Sequence, residues 1–454
     1  MSRFARISYD LLRALGRLNW ERRKLQIYQE KRFREIVHYA YSNVPFYRQM
    51  FKTAKVSPSD IRSLDDLNKL PIIRKTDMKK RPDSELISQE FAIHSLRKLN
   101  TGGSTGQPFS FYISKEEDEW RKAIYMRANI SCGQKLRDCW VAILDAERAT
   151  EISSFQHKMG IFAQNIVPVT WSRKAQLETI ERLKPDVLDG FSGALWLLAK
   201  EAELREARCI RPRIIFGSGE LISQSSREYL EEYFGAPYYD QFGCTEIDRS
   251  AWQCTERSGY HMDVDSALMQ FVDEDGLEVG RGERGEIVYT SLFNHAMPLI
   301  RYGVQDVGVP TDDICPCGIN LPLMKVIEGR SNSFLVFAGG GIVSPMSFIE
   351  TMRAFRYVKE IDQYRVLQKS EDLVEISIKK TDDTVDEQYL RNKLLSNIVE
   401  GLQKLENVDL TGVEFDIRFV DELPLVGRGK LSVVSSNVQA FRQNGCKNGP
   451  RMPL

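Results

Sequence analysis

The stretch VLDGFSGALWLLAKEAELREARCIRPRIIFGSGE, residues 187–220, decides the fold class. Its apolar ends, residues 187–188 and 214–216, predict two short strands. Between them, residues 194–206 have the apolar spacing of an amphipathic helix. Because strand and helix alternate, the stretch favours an α/β fold.

The same alternation continues on both sides. Strands are predicted at residues 141–144 and 287–289, and helices at residues 175–183 and 223–234. Nearer the N-terminus, residues 30–42 predict an amphipathic helix ended by the Asn43-Val44-Pro45 turn, and residues 63–71 a short helix.

The pattern of predicted secondary structure changes after Arg330. Four strands are predicted there, at residues 334–337, 363–367, 373–378 and 414–420, together with helices at residues 345–353 and 387–403. The pattern predicts a large N-terminal domain over residues 1–330 and a compact α+β domain over residues 331–443. The tail, residues 444–454, is expected to be disordered.

Composition limits the classes of function. With 454 residues and 42% hydrophobic content, the chain can bury a sizeable core in two or three domains. A formal net charge of +0 gives no reason to expect a nucleic-acid partner. We see no signal peptide and no apolar run near the roughly 20 residues that span a bilayer, so we expect no transmembrane segment and a cytoplasmic location.

Eight cysteines are too few for a disulfide scaffold in a chain of this length and are expected to be reduced. The oligomeric state stays open, with a homodimer as one alternative.

The first helical pattern is basic and amphipathic. Its apolar face is predicted to contain Phe4, Ile7, Leu11, Leu12 and Leu15, with arginines among them. Such a helix either lies on an anionic membrane or docks on its own protein, and the second interpretation is favoured.

Six short motifs carry the chemistry. The first is a Gly/Ser/Thr loop, NTGGSTGQP at residues 100–108, which is suited to wrapping a polyphosphate. The last is a glycine-rich loop, LPLVGRGK at residues 423–430, which ends in a lysine. Between them lie FGSGE at residues 216–220, YDQFGCTE at residues 239–246, PLIRYGVQD at residues 298–306, and Gly329-Arg330.

In this order, from about Arg32 to Val434, the series resembles the adenylate-forming ligases, within them the phenylacetate-CoA ligase family and its relatives from capsular polysaccharide clusters. The resemblance implies a large domain of mixed sheets and helices and a small mobile C-terminal domain. It also implies ATP-dependent activation of a carboxylic acid to an acyl-adenylate, with release of pyrophosphate and transfer to a thiol such as coenzyme A.

The resemblance implies which residues bind the phosphates of ATP and the metal ion. The β- and γ-phosphates are assigned to the loop residues Thr101, Gly102, Gly103, Ser104, Thr105 and Gly106. Many adenylating enzymes end this loop with a lysine, whereas Phe109 follows Pro108 here. Glu246 is assigned to Mg²⁺ and Thr245 to the α-phosphate. The alternative is a surface Thr-Glu pair at the start of a helix.

The nucleoside is assigned to other motifs. Asp306 and Arg330 are expected at the ribose, although Asp306 would otherwise cap a turn before Gly308. The adenine slot is assigned to Gly217, Ser218, Gly219, Glu220, Asp240, Gln241 and Phe242, and Gly243 is a further expected ATP-binding residue. Either Tyr239 or Phe242 is expected to stack on the base.

Lys430 is assigned to the α-phosphate and the substrate carboxylate, as a cation that the mobile domain can withdraw. The family usually has an aspartate soon after Gly-Arg at the hinge, but this chain has Ser331-Asn332-Ser333. The hinge residue is therefore left open.

The acid pocket is assigned to Trp140, Phe191 and Gly193. The aromatic side chains of Trp140, Phe191 and Phe242 suit an aryl acid, although such side chains are equally typical of a core. Asp145, Arg148 and Glu151 favour a polar acid instead. The acceptor is coenzyme A by family default, with a carrier protein or a sugar amine as alternatives.

A second constellation points to a metal. Cys254, His261, Cys315 and Cys317 supply three thiolates and one imidazole, the ligand set of a closed structural zinc site. Similar Cys/His sets occur in parts of the resembled family. The alternative is four unrelated residues, since cysteine is a common buried hydrophobe.

Three classes of function follow. The first is an AMP-forming acid–thiol ligase and the second a non-catalytic nucleotide-binding scaffold. The third, a P-loop transferase, is disfavoured because the Gly/Ser/Thr loop lacks the Gly-Lys-Ser/Thr ending.

Overall fold

The computed structural model describes residues 3–100, 109–145, 158–207, 209–330, 333–338, 341–355, 357–382, 384–423 and 433–438. Within these ranges no helix combines the length and the apolar character needed to cross a bilayer.

The α-helices of the described residues are α1 Arg3–Arg17, α2 Arg22–Asn43, α3 Pro45–Ala54, α4 Lys75–Lys79, α5 Asp83–Leu86, α6 Lys115–Ser131, α7 Arg173–Leu183, α8 Ser192–Leu204, α9 Gln224–Phe234, α10 Pro345–Arg353 and α11 Glu387–Glu406.

The strands of the first half are β1 Ile73–Arg74, β2 Arg97–Asn100, β3 Ser110–Ile113, β4 Trp140–Leu144, β5 Gln164–Pro168, β6 Val187–Phe191, β7 Ile214–Ser218, β8 Tyr238–Cys244, β9 Asp248–Trp252 and β10 Tyr260–Met262. Those of the second half are β11 Ala267–Val272, β12 Gly285–Ser291, β13 Tyr302–Thr311, β14 Leu323–Arg330, β15 Leu335–Val336, β16 Ile342–Val343, β17 Ile361–Ser370, β18 Leu373–Lys380, β19 Glu414–Phe419 and β20 Val434–Ser436.

The described residues form two compact units. Unit 1 contains those of Met1–Gln134 together with Tyr239–Ile327, and unit 2 contains those of Lys135–Tyr238 and of the segment that follows Glu328. The predicted domain boundary near residue 331 stays a prediction.

Unit 1 is built on a sheet with the strand order β11-β12-β13-β14-β10-β9-β8, and β1 runs parallel to β13. Its interior contains a cluster of ionised side chains, which we call the charged core: Arg17, Arg127, Arg249, Asp263 and Asp265. Arg127 of α6 is completely buried and forms two 2.9 Å hydrogen bonds to the Asp265 carboxylate.

Further contacts complete the charged core. Arg17 of α1 reaches the same carboxylate at 3.2 Å, and Arg249 of β9 lies 3.1 Å from Asp263. Trp252 donates its indole N–H to Asp263 at 3.1 Å. Because buried charges are tolerated only when they are paired, these contacts define how α1, α6 and β9 sit within unit 1.

Unit 2 contains the sheet that the opening stretch predicted. Strands β5, β4, β6 and β7 are hydrogen-bonded side by side, and each pair is parallel. An apolar core of this sheet and helices α7, α8 and α9 includes Val141, Ile180, Leu188, Leu195 and Phe234. The α/β fold class is therefore confirmed.

The C-terminal part of unit 2 has its own apolar core. The strand order is β19-β18-β17-β20, and helices α10 and α11 contribute Phe348, Met352, Leu394 and Ile398 to the cluster. Leu221, which directly follows the FGSGE motif, packs against the same cluster.

Most predicted elements are confirmed, with shifted ends. Helix α2 begins at Arg22 rather than at residue 30, the segment after Ser63 is a 3₁₀ helix over Leu64–Lys69, and only Leu335–Val336 of residues 334–337 forms a strand. Helix α10 has the predicted bounds.

The face predicted for α1 needs one correction. Leu11 is buried, whereas Leu12 is 70% exposed. Successive helix residues are about 100° apart, and the buried face of α1 runs along Ile7, Leu11 and Ala14, so Leu12 lies outside it. The favoured interpretation of α1 is otherwise confirmed, because Ile7, Leu11 and Ala14 are buried and Arg3 pairs with Asp118 of α6 at 2.8 Å.

Candidate active site and metal centre

The Thr245-Glu246 pair lies in the tight turn that joins β8 to β9. Gly243 makes this turn feasible, since a Cβ there would lie 2.0 Å from the Asp248 carbonyl oxygen. Glu246 is only 6% exposed. The alternative of a surface pair at a helix start is therefore wrong.

Three side chains from elsewhere in unit 1 contact this turn. Arg121 of α6 donates to the carbonyl oxygens of Thr245, at 3.1 Å, and of Glu246. Asn294 also donates to the Glu246 carbonyl, at 3.3 Å. Tyr302, the first residue of β13, donates its hydroxyl to Glu246 Oε1 at 2.9 Å.

Asp306 lies within β13 and does not cap a turn, so that alternative is wrong as well. Burial raises the pKa of the Cys244 thiol well above its ordinary value, and the charges of Glu246 and Asp306 raise it further. Tyr302, which contacts Glu246, lies four positions before Asp306 on the same strand, so unit 1 brings the strand that carries Asp306 to the Thr245-Glu246 turn.

The ATP-binding candidates in the first half of β8 form side-chain hydrogen bonds within unit 1. Asp240 accepts from the Tyr260 hydroxyl at 2.6 Å, and Gln241 donates to Asn129 at 2.8 Å. Both side chains are buried, and so is Tyr239, whereas Phe242 is half-buried. Because Phe242 has the greater exposure, it is the more accessible of the two stacking candidates.

Unit 2 holds the other described nucleotide candidates. Ser218 ends β7, and Gly219 follows with a φ of 77°, which glycine adopts without strain. Glu220 accepts from the backbone N–H of Gly193 at 2.7 Å, in the first turn of α8. A carboxylate at a helix N-terminus is stabilised by the helix dipole, so this contact joins the FGSGE motif to α8. Arg330 is exposed at the end of β14.

The two aromatic pocket candidates are buried in unit 2. Trp140 begins β4 and donates its indole N–H to Asp189 at 3.2 Å. Phe191 ends β6, is 1% exposed and belongs to the apolar core. Their assignment as pocket walls stays a prediction.

Several predicted residues lie outside the described ranges: Thr101, Gly102, Gly103, Ser104, Thr105, Gly106, Arg148, Glu151, Ser331, Asn332, Lys430 and the tail after residue 444. The flanks of the Gly/Ser/Thr loop are described. They are the paired strands β2 and β3, with Asn100 opposite Ser110.

The four predicted zinc ligands form a cluster in unit 1. The ligand atoms of Cys254, His261, Cys315 and Cys317 all lie within 4.8 Å of one another. Cys254 Sγ lies 3.4 Å from Cys315 Sγ, and Cys317 Sγ lies 3.3 Å from His261 Nε2. The alternative of four unrelated residues is wrong.

The protonation chemistry of the cluster suits a cation. Burial lowers the pKa of His261 to about 4, so its imidazole is neutral at pH 7. Its Nδ1 faces the Leu321 carbonyl at 3.4 Å and carries the hydrogen, because a carbonyl only accepts. Nε2 is therefore left as a ligand towards the cysteines.

Burial raises the pKa of Cys254 and raises that of Cys317 to about 12. Thiolates this close together repel one another, so a divalent cation would stabilise them.

Sequence reasoning missed Arg121, Asn294 and the role of Tyr302. Tyr302 lies inside the PLIRYGVQD motif, so its position was a usable signal. Arg121 carried no such signal, because 124 positions separate it from Thr245.

Comparison with known proteins gives no match to a protein-family model. The chain is 27% identical to the phenylacetate-coenzyme A ligase of Thermus thermophilus over 337 residues, which are 70% of this chain and 73% of that protein. It is 26% identical to the enzyme of the same name from Escherichia coli over 357 residues, 76% of this chain and 79% of that protein. Protein CapK of Staphylococcus aureus is 23% identical over 436 residues, 90% of this chain and 89% of that protein.

Solved structures show the same likeness. The crystal structure of 2-hydroxyisobutyryl-CoA ligase in the postadenylation state with 2-HIB-AMP superposes with a TM-score of 0.77 at 19% identity, covering 94% of this chain and 92% of that one. The anthranilate CoA ligase AuaEII with anthranoyl-AMP superposes with a TM-score of 0.55 at 16% identity, covering 83% and 74%. The chain shares the fold of these proteins.

Proposed function

We propose that this chain, which is related to the phenylacetate-coenzyme A ligases and has the fold of adenylate-forming ligases, activates a carboxylic acid with ATP. The carboxylate attacks the α-phosphate, acyl-adenylate forms and pyrophosphate leaves. The thiol of coenzyme A then displaces AMP and forms the thioester. The observation that carries this proposal is the buried Glu246 carboxylate, held in the β8–β9 turn of the YDQFGCTE motif.

The chemistry of this turn suits a Mg²⁺-nucleotide. One carboxylate oxygen of Glu246 accepts from Tyr302, and within the described residues no side chain hydrogen-bonds the other oxygen. A carboxylate oxygen is the ligand that Mg²⁺ prefers, so the turn fits this metal. When bound, Mg²⁺ would offset the charge of the phosphates as the substrate carboxylate approaches. Thr245 is the expected donor to the α-phosphate.

Lys430 is proposed as the cation between the α-phosphate and the substrate carboxylate. A panel of aryl, hydroxy and polar carboxylic acids should be screened for acid-dependent ATP–pyrophosphate exchange, and Lys430→Ala should abolish exchange while ATP binding persists. Lys404→Ala, on α11, is the control for loss of a lysine. No exchange with any acid, or normal exchange in Lys430→Ala, would count against the assignment.

Glu246→Gln tests the metal-binding role. The substitution should weaken binding of Mg²⁺-ATP much more than binding of AMP, since AMP needs little metal. Isothermal titration with each nucleotide would measure this difference. Equal losses for both nucleotides would indicate a folding role instead.

The acceptor is the second open choice. Coenzyme A is the proposed acceptor, because the phenylacetate-coenzyme A ligases are the relatives whose names state one. The resemblance to relatives from capsular polysaccharide clusters supplies the alternatives, a carrier-protein thiol or a sugar amine. With the best acid in hand, product formation from coenzyme A and from amine acceptors should be compared by mass spectrometry. We expect coenzyme A to be preferred, and a preference for an amine would select the alternative.

We also propose a structural zinc ion at the cluster of Cys254, His261, Cys315 and Cys317. Tetrahedral Zn–S and Zn–N bonds of about 2.0–2.3 Å place neighbouring ligands about 3.5 Å apart. Two of the observed spacings, 3.4 and 3.3 Å, lie close to this value, and all four ligand atoms lie within 4.8 Å of one another. Protein purified without added metal should contain about one zinc per chain. Cys315→Ser should lose the zinc and lower the thermal midpoint.

Cys132→Ser is the matched control for this zinc test. Cys132 is also buried, but it donates to the Gln253 carbonyl at 3.2 Å, a bond that serine can retain. Zinc-free protein with an unchanged midpoint would contradict the proposal.

A further inference from the structure

Different residues contact the backbone of the Thr245-Glu246 turn and the side chain of Glu246. Arg121 and Asn294 contact only carbonyl oxygens, and so they fix the path of the main chain. Neither contact restrains the side chain of Glu246, which has three rotatable bonds. A carboxylate that serves a metal must instead be held in one orientation by a neighbour.

Tyr302 supplies that restraint. Its hydroxyl donates to Glu246 Oε1 at 2.9 Å, and both residues are buried. A phenol is protonated at neutral pH, so this hydroxyl is a donor to the carboxylate.

The phenol is itself well anchored. Tyr302 lies opposite Tyr289 of β12 and beside Ile73 of β1, with a strand on each side. Its backbone is therefore fixed by the sheet, and its side chain is 2% exposed, so packing limits the positions open to the hydroxyl.

We propose that Tyr302 is a positioning residue, which holds the Glu246 carboxylate so that its second oxygen points to the nucleotide-bound divalent cation. This proposal rests on the proposed function, because it takes Glu246 as the metal ligand. Tyr302 itself touches neither metal nor substrate.

Tyr302→Phe removes only the hydroxyl, and Tyr289→Phe is the matched control. Tyr289 is equally buried on the neighbouring strand, but its hydroxyl contacts Ser250 at 2.7 Å. Mn²⁺ can report the site by electron paramagnetic resonance, with ATP present and no acid added. ATP binding in EDTA is measured in parallel.

We expect Tyr302→Phe to weaken Mn²⁺ binding in the presence of ATP by about 10- to 100-fold, the usual effect of removing a partner of a metal ligand. Binding of ATP in EDTA should not change. Tyr289→Phe should bind Mn²⁺ as the wild type does. In pyrophosphate exchange, Tyr302→Phe should need more Mg²⁺ for half-saturation and regain most of its rate at high Mg²⁺.

Two outcomes would overturn the positioning role. One is Mn²⁺ affinity in Tyr302→Phe within about twofold of wild type, and the other is an equal loss in Tyr289→Phe, which would indicate a general packing defect. Glu246→Gln separates this failure from that of the proposed function. If Glu246→Gln keeps wild-type Mn²⁺ affinity, Glu246 is not the metal ligand, and the Tyr302 proposal falls with it.

Discussion

The buried side chains of unit 1 differ in kind from those of unit 2. Both units bury many apolar side chains, and unit 1 in addition buries the charged core and the Cys/His cluster. Apolar packing stabilises without specifying direction, while buried ion pairs and ligand sets are satisfied in few geometries. The difference teaches that unit 1, which carries the Thr245-Glu246 turn, depends on positioned polar contacts.

Helix α6 connects the two roles within unit 1. Arg127 attaches the helix to Asp263 and Asp265, and Arg121 on the same helix contacts the turn. We infer that the charged core sets the register of α6 and so the place of the turn.

The largest expected effect is in the charged core. Arg127→Met should lower the free energy of unfolding by about 3–5 kcal/mol, because it leaves two buried carboxylates short of a partner. Urea denaturation would measure the loss. The control is Arg205→Met in unit 2, where the Arg205–Glu201 pair is partly exposed and worth about 0.5 kcal/mol. Equal losses would remove the distinction between the two interiors.

An apolar truncation in unit 2 should cost somewhat less. Leu195 of α8 is completely buried, and Leu195→Ala should cost roughly 3 kcal/mol through lost packing and the cavity left behind. Leu204→Ala on the same helix, at a position 75% exposed, should cost almost nothing. The cost of Leu195→Ala should also be independent of salt and pH, and a strong dependence on either would contradict an apolar core.

The pH dependence offers a smaller test. Burial alone would raise the pKa of Asp265, but Arg127 and then Arg17 outweigh it and lower the pKa below its ordinary 3.8. The carboxylate therefore stabilises the folded state above about pH 4, and this contribution is lost as the pH falls through the lowered pKa. The stability difference between wild type and Asp265→Asn should narrow in that range. A gap that stays constant down to pH 2 would contradict a charged Asp265.

The smallest effect is expected on α1. Leu12→Ala should change the free energy of unfolding by no more than about 0.5 kcal/mol, because the side chain is exposed, whereas Leu11→Ala should cost several times as much. Thermal denaturation of the two variants would compare them. Similar losses would show that α1 buries both residues in solution.

Much of the fold was predictable. The strands and helices of unit 2 follow apolar runs and helical spacing that are visible over a few residues, and α10 was predicted to its ends. Ends were less predictable where the signal was weak, as at Arg22, because α2 begins without a side-chain cap hydrogen bond.

For the two candidate sites, the sequence predicted different amounts of detail. The Cys/His cluster could be found because cysteine and histidine are rare here, so a set of four stands out. The motif residues Thr245, Glu246 and Asp306 could be named, but their surroundings could not. Whether Glu246 is buried depends on α6 and β13, which are far from it in the chain.

The sequence by itself determined the order of the motifs, the α/β alternation and the four members of the Cys/His cluster, because each of these depends on local residue types and spacings. Only the tertiary structure decided which partners hold the Thr245-Glu246 turn and which charges are buried. Arg121, Arg127 and Tyr302 acquire their roles from neighbours more than 50 positions away. Burying a charge is favourable only where such a partner arrives in the correct geometry, and folding alone brings the two together.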